Sequence, residues 1–255
     1  MPKNRSSQNR ALEKTLRRKN LFPNTSATWQ QSIINNLLLQ IKIAPVSTCI
    51  DAACGVGNNI YTLKKYFHKI IAFDKSAQAI EFARKRHHKY MQIVSFTVGD
   101  LEYISYYDNS FDCVVCTEAL EHVINYTRVI KQLYRITKPN GYVIMSFQNH
   151  FNFSGLWKYL FEKIYKKNWD VWGTHRHETN YESYLNIFQV KQVLNDMGFI
   201  FIKEFGADYL NAWFFWLPFI YRNYKILNRY PWLYLGKLHV IKYFGMDYFL
   251  LLKKP

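Results

Sequence analysis

The chain has 255 residues, of which 49% are hydrophobic, so it can bury the core of one globular domain, with or without a cap. Its 34 Lys and Arg against 18 Asp and Glu give a net charge of +16, which favours an anionic partner without selecting among nucleic acid, a membrane surface and a small anion. The longest purely apolar run, 212–220, is shorter than the roughly 20 residues of a membrane span. With no apolar signal region and no disulfide pattern, we expect a cytoplasmic protein, with peripheral membrane contact left open.

Residues 1–46 are predicted to form a basic tail and a helix that caps the domain. The first 20 residues carry seven Lys or Arg and one acid, which fits a solvated tail or a weak organelle-targeting signal, and we favour the tail. Apolar residues recur at helical spacing between Thr28 and Ile43. They are Ile33, Ile34, Leu37, Leu38 and Ile41.

From residue 47 to 255, predicted strands and helices alternate, which indicates a single α/β domain. This rhythm predicts a Rossmann-like, mostly parallel sheet of seven strands with helices on both faces and an aromatic-rich cap. The predicted strands are 47–52, 70–73, 93–98, 111–116, 142–147, 199–205 and 246–252, and the predicted helices are 59–67, 76–90, 126–136 and 185–197. A turn is expected at 138–141.

Two aromatic and basic segments, at about 149–183 and 207–241, interrupt this pattern without a clear period of their own. They fit a packed cap, a lid around a large apolar acceptor, or an interfacial helix near a membrane. We favour a pocket for a small, lipophilic molecule. Nucleic acid is the rival partner, but the basic residues are spread along the chain rather than gathered in one patch. The oligomeric state is left open.

A glycine-containing loop follows the first predicted strand and opens a helix, where open α/β sheets bind nucleotides. Its sequence is Asp51-Ala52-Ala53-Cys54-Gly55-Val56-Gly57-Asn58-Asn59. A dinucleotide fingerprint needs a small third residue, and Ile60 or Asn58 would stand there, so neither register fits. Acids end the next two strands at Asp74 and Asp100, and Asp74 could also be a helix N-terminal acid.

These motifs, in this order, resemble the class I S-adenosylmethionine-dependent methyltransferases, in particular the small-molecule group that includes ubiquinone and menaquinone biosynthesis enzymes. Besides the loop and the two acids, the resemblance is carried by residues 108–112, 118–122 and 138–141. Ala53 departs from the pattern, since the family usually has glycine there. The resemblance implies S-adenosylmethionine as cofactor, and the following cofactor-binding residues: Asp51, Ala53, Cys54, Gly55, Gly57, Asp74, Lys75, Asp100, Leu101, Thr117 and Glu118.

The resemblance also assigns roles: the loop surrounds the methionine part, Asp74 binds the ribose hydroxyls, Asp100 meets the adenine amine beside Leu101, and Thr117 and Glu118 line the pocket. The implied reaction is methyl transfer to a small acceptor, at the oxygen of a hydroxyl or carboxylate. An RNA methyltransferase and an inactive, methyltransferase-like binding protein are the alternatives.

Histidines supply the candidates for chemistry at the acceptor. His122, after the fourth strand, is either a general base or a helix-start residue bonded to backbone. His150, His175, Arg176, His177 and Trp213 are candidate substrate-binding residues. The His175-Arg176-His177 cluster could instead be a solvated loop, and a metal site is disfavoured because it has no evident third ligand. His87 and His88, on a basic helix end, are expected to be solvated.

The CxxC pair Cys113 and Cys116 lies within the predicted fourth strand. Residues i and i+3 of a strand point to opposite faces, so this spacing is expected to be structural rather than metal-binding.

Overall fold

The computed structural model describes residues 26–165, 183–209 and 240–255, which include a seven-stranded sheet. Its order is β3-β2-β1-β4-β5-β7-β6, and β7 is antiparallel to both of its neighbours. The strands are β1 (Thr48–Ala52), β2 (Lys69–Asp74), β3 (Val94–Val98), β4 (Phe111–Thr117), β5 (Thr137–Gln148), β6 (Ile200–Ala207) and β7 (Asp247–Lys253). The predicted α/β class and mostly parallel sheet are confirmed.

Helices connect the parallel strands and cover the sheet, as βαβ connectivity requires. They are α1 (Ser26–Leu38), α2 (Ile60–Leu63), α3 (Ala77–Arg86), α4 (Tyr126–Ile136), α5 (Phe153–Tyr165) and α6 (Ile187–Asp196), with short 3₁₀ turns at 88–90, 101–103, 120–122 and 241–244. Helix α4 has the predicted bounds because its Val129, Ile130, Leu133 and Ile136 are buried at a regular helical spacing. Within the described residues, no helix is both long and apolar enough to span a membrane.

Two hydrophobic clusters sandwich the sheet. One contains the buried face of α4 and Cys116, and the other contains α1 and Cys113. The CxxC cysteines thus face opposite sides of β4, as predicted. All four cysteines are free and buried.

Several predicted elements differ from the structure, and the helix predicted over 59–67 is confined to Ile60–Leu63. Helix α1 ends at Leu38 rather than Ile43, although Ile33, Ile34, Leu37 and Leu38 are buried as expected. The segment 138–141 is an irregular part of β5 rather than a free turn, with a register shift against β4, while Asn140 has the left-handed conformation expected of a turn residue (φ 63°).

The largest difference is α5, which lies in a segment predicted to have no clear period. Its apolar residues do recur at helical spacing, but the aromatic residues between them obscure the pattern. The expectations for residues 1–25, 166–182 and 210–239 fall outside the described residues.

Strands β1 and β4 are neighbours at the point where the chain crosses from one half of the sheet to the other. Ligands of open α/β sheets bind beyond the carboxyl ends of the strands at such a point. This edge carries the loop after β1 and the residues after β4.

Candidate functional site

The loop after β1 is built from residues in left-handed backbone conformations. Ala53, Gly55 and Gly57 have φ angles of 66°, 52° and 78°. A side chain at Gly55 would project into open space, because no atom lies within 4 Å of the place its Cβ would take, whereas one at Gly57 would strike Ile60 and His87. The loop therefore presents backbone on its open side, where a ligand can approach closely.

Asn59 connects the ends of β1 and β4. Its Nδ2 donates to Oδ1 of Asp51 at 3.0 Å and to Oγ1 of Thr117 at 3.2 Å. Asp51 is fully buried, and its Oδ2 has no hydrogen-bond partner among the described residues. Burial raises the pKa of Asp51 to about 7, against the hydrogen bond from Asn59 and with a contribution from Asp74. The site thus holds a buried carboxyl oxygen available to a donor.

Asp74, at the end of β2, fixes the same loop. Its Oδ2 accepts from the backbone N–H of Gly55 at 2.7 Å, and its Oδ1 accepts from the N–H of Ser76 at 2.8 Å. Ser76 in turn caps α3 by accepting from the N–H of Ala79. Each carboxylate oxygen retains a further lone pair, so Asp74 can also accept from a ligand hydroxyl.

Asp100 follows β3 and binds Lys75, which stands next to Asp74. Oδ2 of Asp100 accepts from Nζ of Lys75 at 2.7 Å, and its Oδ1 accepts from the N–H of Glu102 at 3.0 Å. Partial burial acts against ionisation, but these two donors hold the pKa of Asp100 below its usual value. Leu101 is buried beside it. The two acids and Lys75 therefore line one edge, as the sequence predicts.

Buried and half-buried carboxyl groups gather beyond β4. Glu118 has a φ of 51°, and its Oε1 accepts from the Ser146 hydroxyl at 2.8 Å. Burial raises the pKa of Glu118 to about 7, against the Ser146 hydrogen bond and with a contribution from Asp208. Burial also raises the pKa of Asp247, and Glu118, Asp208 and Glu121 raise it further. This group of four carboxyls is not evident from the sequence, because its members come from distant segments.

His122 follows β4 in a 3₁₀ turn, with its side chain partly exposed. Its Nε2 lies 4.0 Å from Oε1 of Glu121, whose side chain is fully buried. His150, two residues beyond β5, packs edge-on against the ring of Tyr184, 5.0 Å between centroids. Both histidines lie after carboxyl ends of strands. The other candidate substrate residues, His175, Arg176, His177 and Trp213, are outside the described residues.

His87 is buried rather than solvated, which corrects the expectation for this residue, while His88 is exposed as expected. The His87 ring lies 4.6 Å from the Tyr61 ring and would collide with any side chain at Gly57. Burial lowers the pKa of His87 to about 4, and the charges of Arg86 and Lys64 lower it further. A neutral histidine thus packs against the glycine loop at Gly57.

Comparison with known proteins decides between the nucleotide-binding families that share this geometry. Residues 50–145, from the first strand through β5, match a family model described as a methyltransferase domain. Residues 50–145 thus form a methyltransferase domain similar to those of class I. S-adenosylmethionine is the cofactor of this family.

The named relatives of the methyltransferase domain differ in the atom they methylate, and they include a phosphoethanolamine N-methyltransferase of Arabidopsis thaliana, 27% identical over 108 residues, covering 42% of this chain and 22% of the relative. The chain is 26% identical over 142 residues to a malonyl-[acyl-carrier protein] O-methyltransferase of Marinomonas sp., covering 55% of this chain and 52% of the relative. It is 27% identical over 120 residues to a demethylmenaquinone methyltransferase of Staphylococcus saprophyticus, covering 46% and 49%. The chain thus spans about half the length of the last two relatives and about a fifth of the first.

Solved structures share the fold of the domain. A crystal structure of a Bacillus halodurans protein superposes with a TM-score of 0.59 at 16% identity, covering 88% of this chain and 99% of that one. At this level of identity the similarity concerns the fold.

The residues of the methyltransferase domain fit S-adenosylmethionine. The buried Asp51 Oδ2 is an acceptor without a donor among the described residues, and the open side of Gly55 is a backbone surface that a Cβ would obstruct. Asp74 retains acceptor capacity toward a diol. Asn59 is the site residue missed as a cofactor candidate, although it ends the loop motif in the sequence; its role requires the β1–β4 pairing.

Proposed function

We propose that this chain transfers the methyl group of S-adenosylmethionine to an oxygen atom, hydroxyl or carboxylate, of a small lipophilic acceptor. The observation that carries the proposal is the cradle formed by the left-handed loop 53–57 and the buried Asp51 carboxyl, between the ends of β1 and β4. We also propose that residues 47–255 form one methyltransferase domain with cap insertions at 149–183 and 207–241, preceded by a basic tail and cap helix at 1–46.

The bound cofactor would supply a methyl group already activated by its sulfonium centre. The protein's part is then to align the acceptor and to exclude water. Asp51, Gly55 and Gly57 would hold the methionine part, and Asp74 and Asp100 the ribose and adenine. Lys75 would keep the Asp100 carboxylate ionised and in place through its 2.7 Å hydrogen bond. Thr117 and Glu118 would line the cofactor pocket at the end of β4.

An oxygen acceptor must lose a proton when it is a hydroxyl or a protonated acid, so the site needs a base. His122 lies after β4 with part of its side chain exposed, and its Nε2 lies 4.0 Å from Oε1 of Glu121. We propose that His122 is the base that accepts the proton from the acceptor oxygen.

The lipophilic character of the acceptor is inferred from aromatic side chains near the carboxyl end of β5. Phe151 contacts Phe188 edge-on and stacks on Phe244, with centroids 5.0 and 5.5 Å apart. His150, which precedes Phe151 in the chain, contacts the ring of Tyr184. We propose that His150 contacts the acceptor here, and that His175, Arg176, His177 and Trp213, from the two insertions, complete its binding site.

Methyl-labelled S-adenosylmethionine tests this proposal when it is supplied with three matched acceptors: a long-chain alcohol or fatty acid, the corresponding alkyl amine, and total tRNA. The expected product is a labelled ether or base-labile ester, absent with Asp74→Ala. Labelled amine as the main product would contradict an oxygen acceptor. Labelled tRNA without labelled lipid would establish the nucleic-acid alternative that the net charge of +16 allows. Cofactor binding with no labelled product from a whole-cell extract would indicate an inactive binding protein.

A further inference from the structure

Helix α5 exposes a continuous apolar stripe. Its members follow a spacing of i, i+3, i+4, i+7 and i+11, which places them on one face of a helix. They are Phe153, Leu156, Trp157, Leu160 and Ile164, hereafter the α5 stripe, with exposed fractions of 41%, 55%, 45%, 41% and 69%. An apolar face at this spacing ordinarily packs against the protein core, and here it is the face turned to solvent.

The opposite side of α5 is anchored, so the helix cannot simply turn its apolar face inward. Oδ1 of Asn152 accepts from the backbone N–H of Gly155 at 2.9 Å and caps the helix, while its Nδ2 contacts the Gly245 carbonyl oxygen at 3.4 Å. Any side chain at Gly155 would collide with the His150 backbone, its Cβ coming within 2.2 Å of the carbonyl oxygen. Ser154 is buried on the same side. These contacts fix the rotation of the helix.

Two features of the neighbouring surface suit the boundary between lipid and water. Exposed Phe151 and Phe188, in contact with each other, extend the apolar surface at the start of α5. Lys163 lies on the helix beside the stripe with its Nζ 5.7 Å from the Tyr159 ring, and Lys158 lies 5.2 Å from the Tyr184 ring. Aromatic rings and lysines at the edge of an apolar face are typical of helices that lie in a membrane interface.

We infer that the α5 stripe inserts into an anionic lipid surface. The net charge of +16 decides between this occupant and a second copy of the chain, because it attracts the protein to anionic lipid and opposes self-association. Within the described residues, α5 begins five residues after β5 ends at Gln148, so inserted lipid would lie close to the carboxyl edge of the sheet. The purpose of this lipid binding, access to a lipophilic acceptor, rests on the proposed function. Lipid binding itself is tested without cofactor.

Sedimentation with large unilamellar vesicles measures this binding directly. The native chain is expected to bind vesicles of equal phosphatidylglycerol and phosphatidylcholine at 100 mM salt, and to bind at least tenfold more weakly to phosphatidylcholine alone or at 500 mM salt. Failure to bind the anionic vesicles would overturn the inference.

Variants distinguish the stripe from a general attraction of the charged protein. Leu156→Gln with Leu160→Gln should weaken partitioning to anionic vesicles at least tenfold, while the matched exposed pair Leu39→Gln with Met91→Gln should change it less than twofold. Equal binding by both pairs would overturn the assignment of the stripe. A concentration-dependent dimer that the stripe variant abolishes, with no vesicle binding by the native chain, would assign the surface to a second copy.

Trp157 supplies a readout of insertion depth that does not depend on affinity. Lipids brominated on their acyl chains should quench part of the protein's tryptophan fluorescence, and Trp157→Phe should remove most of that quenching without preventing vesicle binding. Quenching unchanged by this substitution would contradict insertion of the stripe. Binding with correct quenching but no methyl transfer would overturn the proposed function and leave this inference in place.

Discussion

The backbone N–H of Gly55 donates a hydrogen bond to Oδ2 of Asp74, 2.7 Å away. Through this contact Asp74, at the end of β2, holds the loop that follows β1. The same carboxylate would bind the ribose diol of the cofactor. A loss of this side chain is therefore expected to affect both at once.

The first prediction concerns Asp74→Ala. It should weaken the binding free energy of S-adenosylmethionine by at least about 2 kcal/mol, because charge-assisted hydrogen bonds contribute roughly 1.5–3 kcal/mol each. Calorimetry should then detect no measurable heat of binding. Glu81→Ala is the control, because Glu81 is an exposed acid paired with Lys85 on α3 and away from the loop. Unchanged binding by Asp74→Ala would show that another group holds the ribose.

The second prediction concerns Ala53, which adopts a φ of 66° that favours glycine. Ala53→Gly should raise the free energy of unfolding by up to about 1 kcal/mol, because relief of roughly 1–2 kcal/mol of backbone strain exceeds the entropic cost of glycine. Ala52→Gly, one residue earlier in buried β1, should lower it by about 1 kcal/mol or more. Chemical denaturation measures both, and a destabilised Ala53→Gly variant would mean that the methyl group contributes packing that outweighs the strain.

The third prediction concerns the pH dependence of stability. The pKa of Asp51 is about 7 in the folded protein, above its value of about 4 in an unfolded chain. The folded state therefore holds the proton more tightly, so this group's contribution is fully present below about pH 4 and is lost as pH rises toward 7. Asp51→Asn should remove this loss and raise the free energy of unfolding at pH 8 relative to pH 4, by up to about 4 kcal/mol at the linkage limit.

Thermal unfolding across pH 4–8 measures this effect. His87 provides an internal contrast, since its pKa of about 4 lies below the unfolded value of about 6.5. Its contribution is present above pH 6.5 and is lost as pH falls toward 4, the opposite direction. If Asp51→Asn and the native chain had parallel stability profiles, the Asp51 carboxyl would not be the group that titrates.

The fourth prediction concerns His122→Ala, which should slow methyl transfer to a hydroxyl acceptor by 10²- to 10⁴-fold while changing cofactor affinity less than threefold. Exposed His88→Ala is the matched control and should leave both quantities unchanged. The measurement is kcat with saturating cofactor, together with calorimetry. Equal turnover by the His122 variant would exclude this histidine as the base.

Much of the sheet can be predicted from the sequence because local periodicity determines it. The bounds of α4 and the strands β1 to β4 follow from buried runs and helical spacing, and the ends of those strands place Asp51, Asp74 and Asp100. These residues come together because parallel strands share one edge, which is a rule of topology rather than of local sequence.

Other features depend on contacts that no local pattern contains. The burial of His87 arises from its packing under Gly57, 30 residues away in sequence, and a basic helix end gives no indication of it. The cluster of carboxyl residues around Glu118 includes Asp208 and Asp247, which lie far from Glu118 in the sequence. The helical spacing of α5 is present in the sequence, but an apolar face that does not pack on the core conflicts with the usual interpretation of such a pattern.

The position of β7 has a consequence for how the protein is made. Strand β7 lies between β5 and β6 and pairs with both, although it follows them in the chain. A nascent chain in which residue 247 has not yet left the ribosome therefore leaves one edge of β5 unpaired and gives β6 no partner. During synthesis, the cofactor half of the sheet can form early, whereas the half beside α5 must wait for the last of its strands.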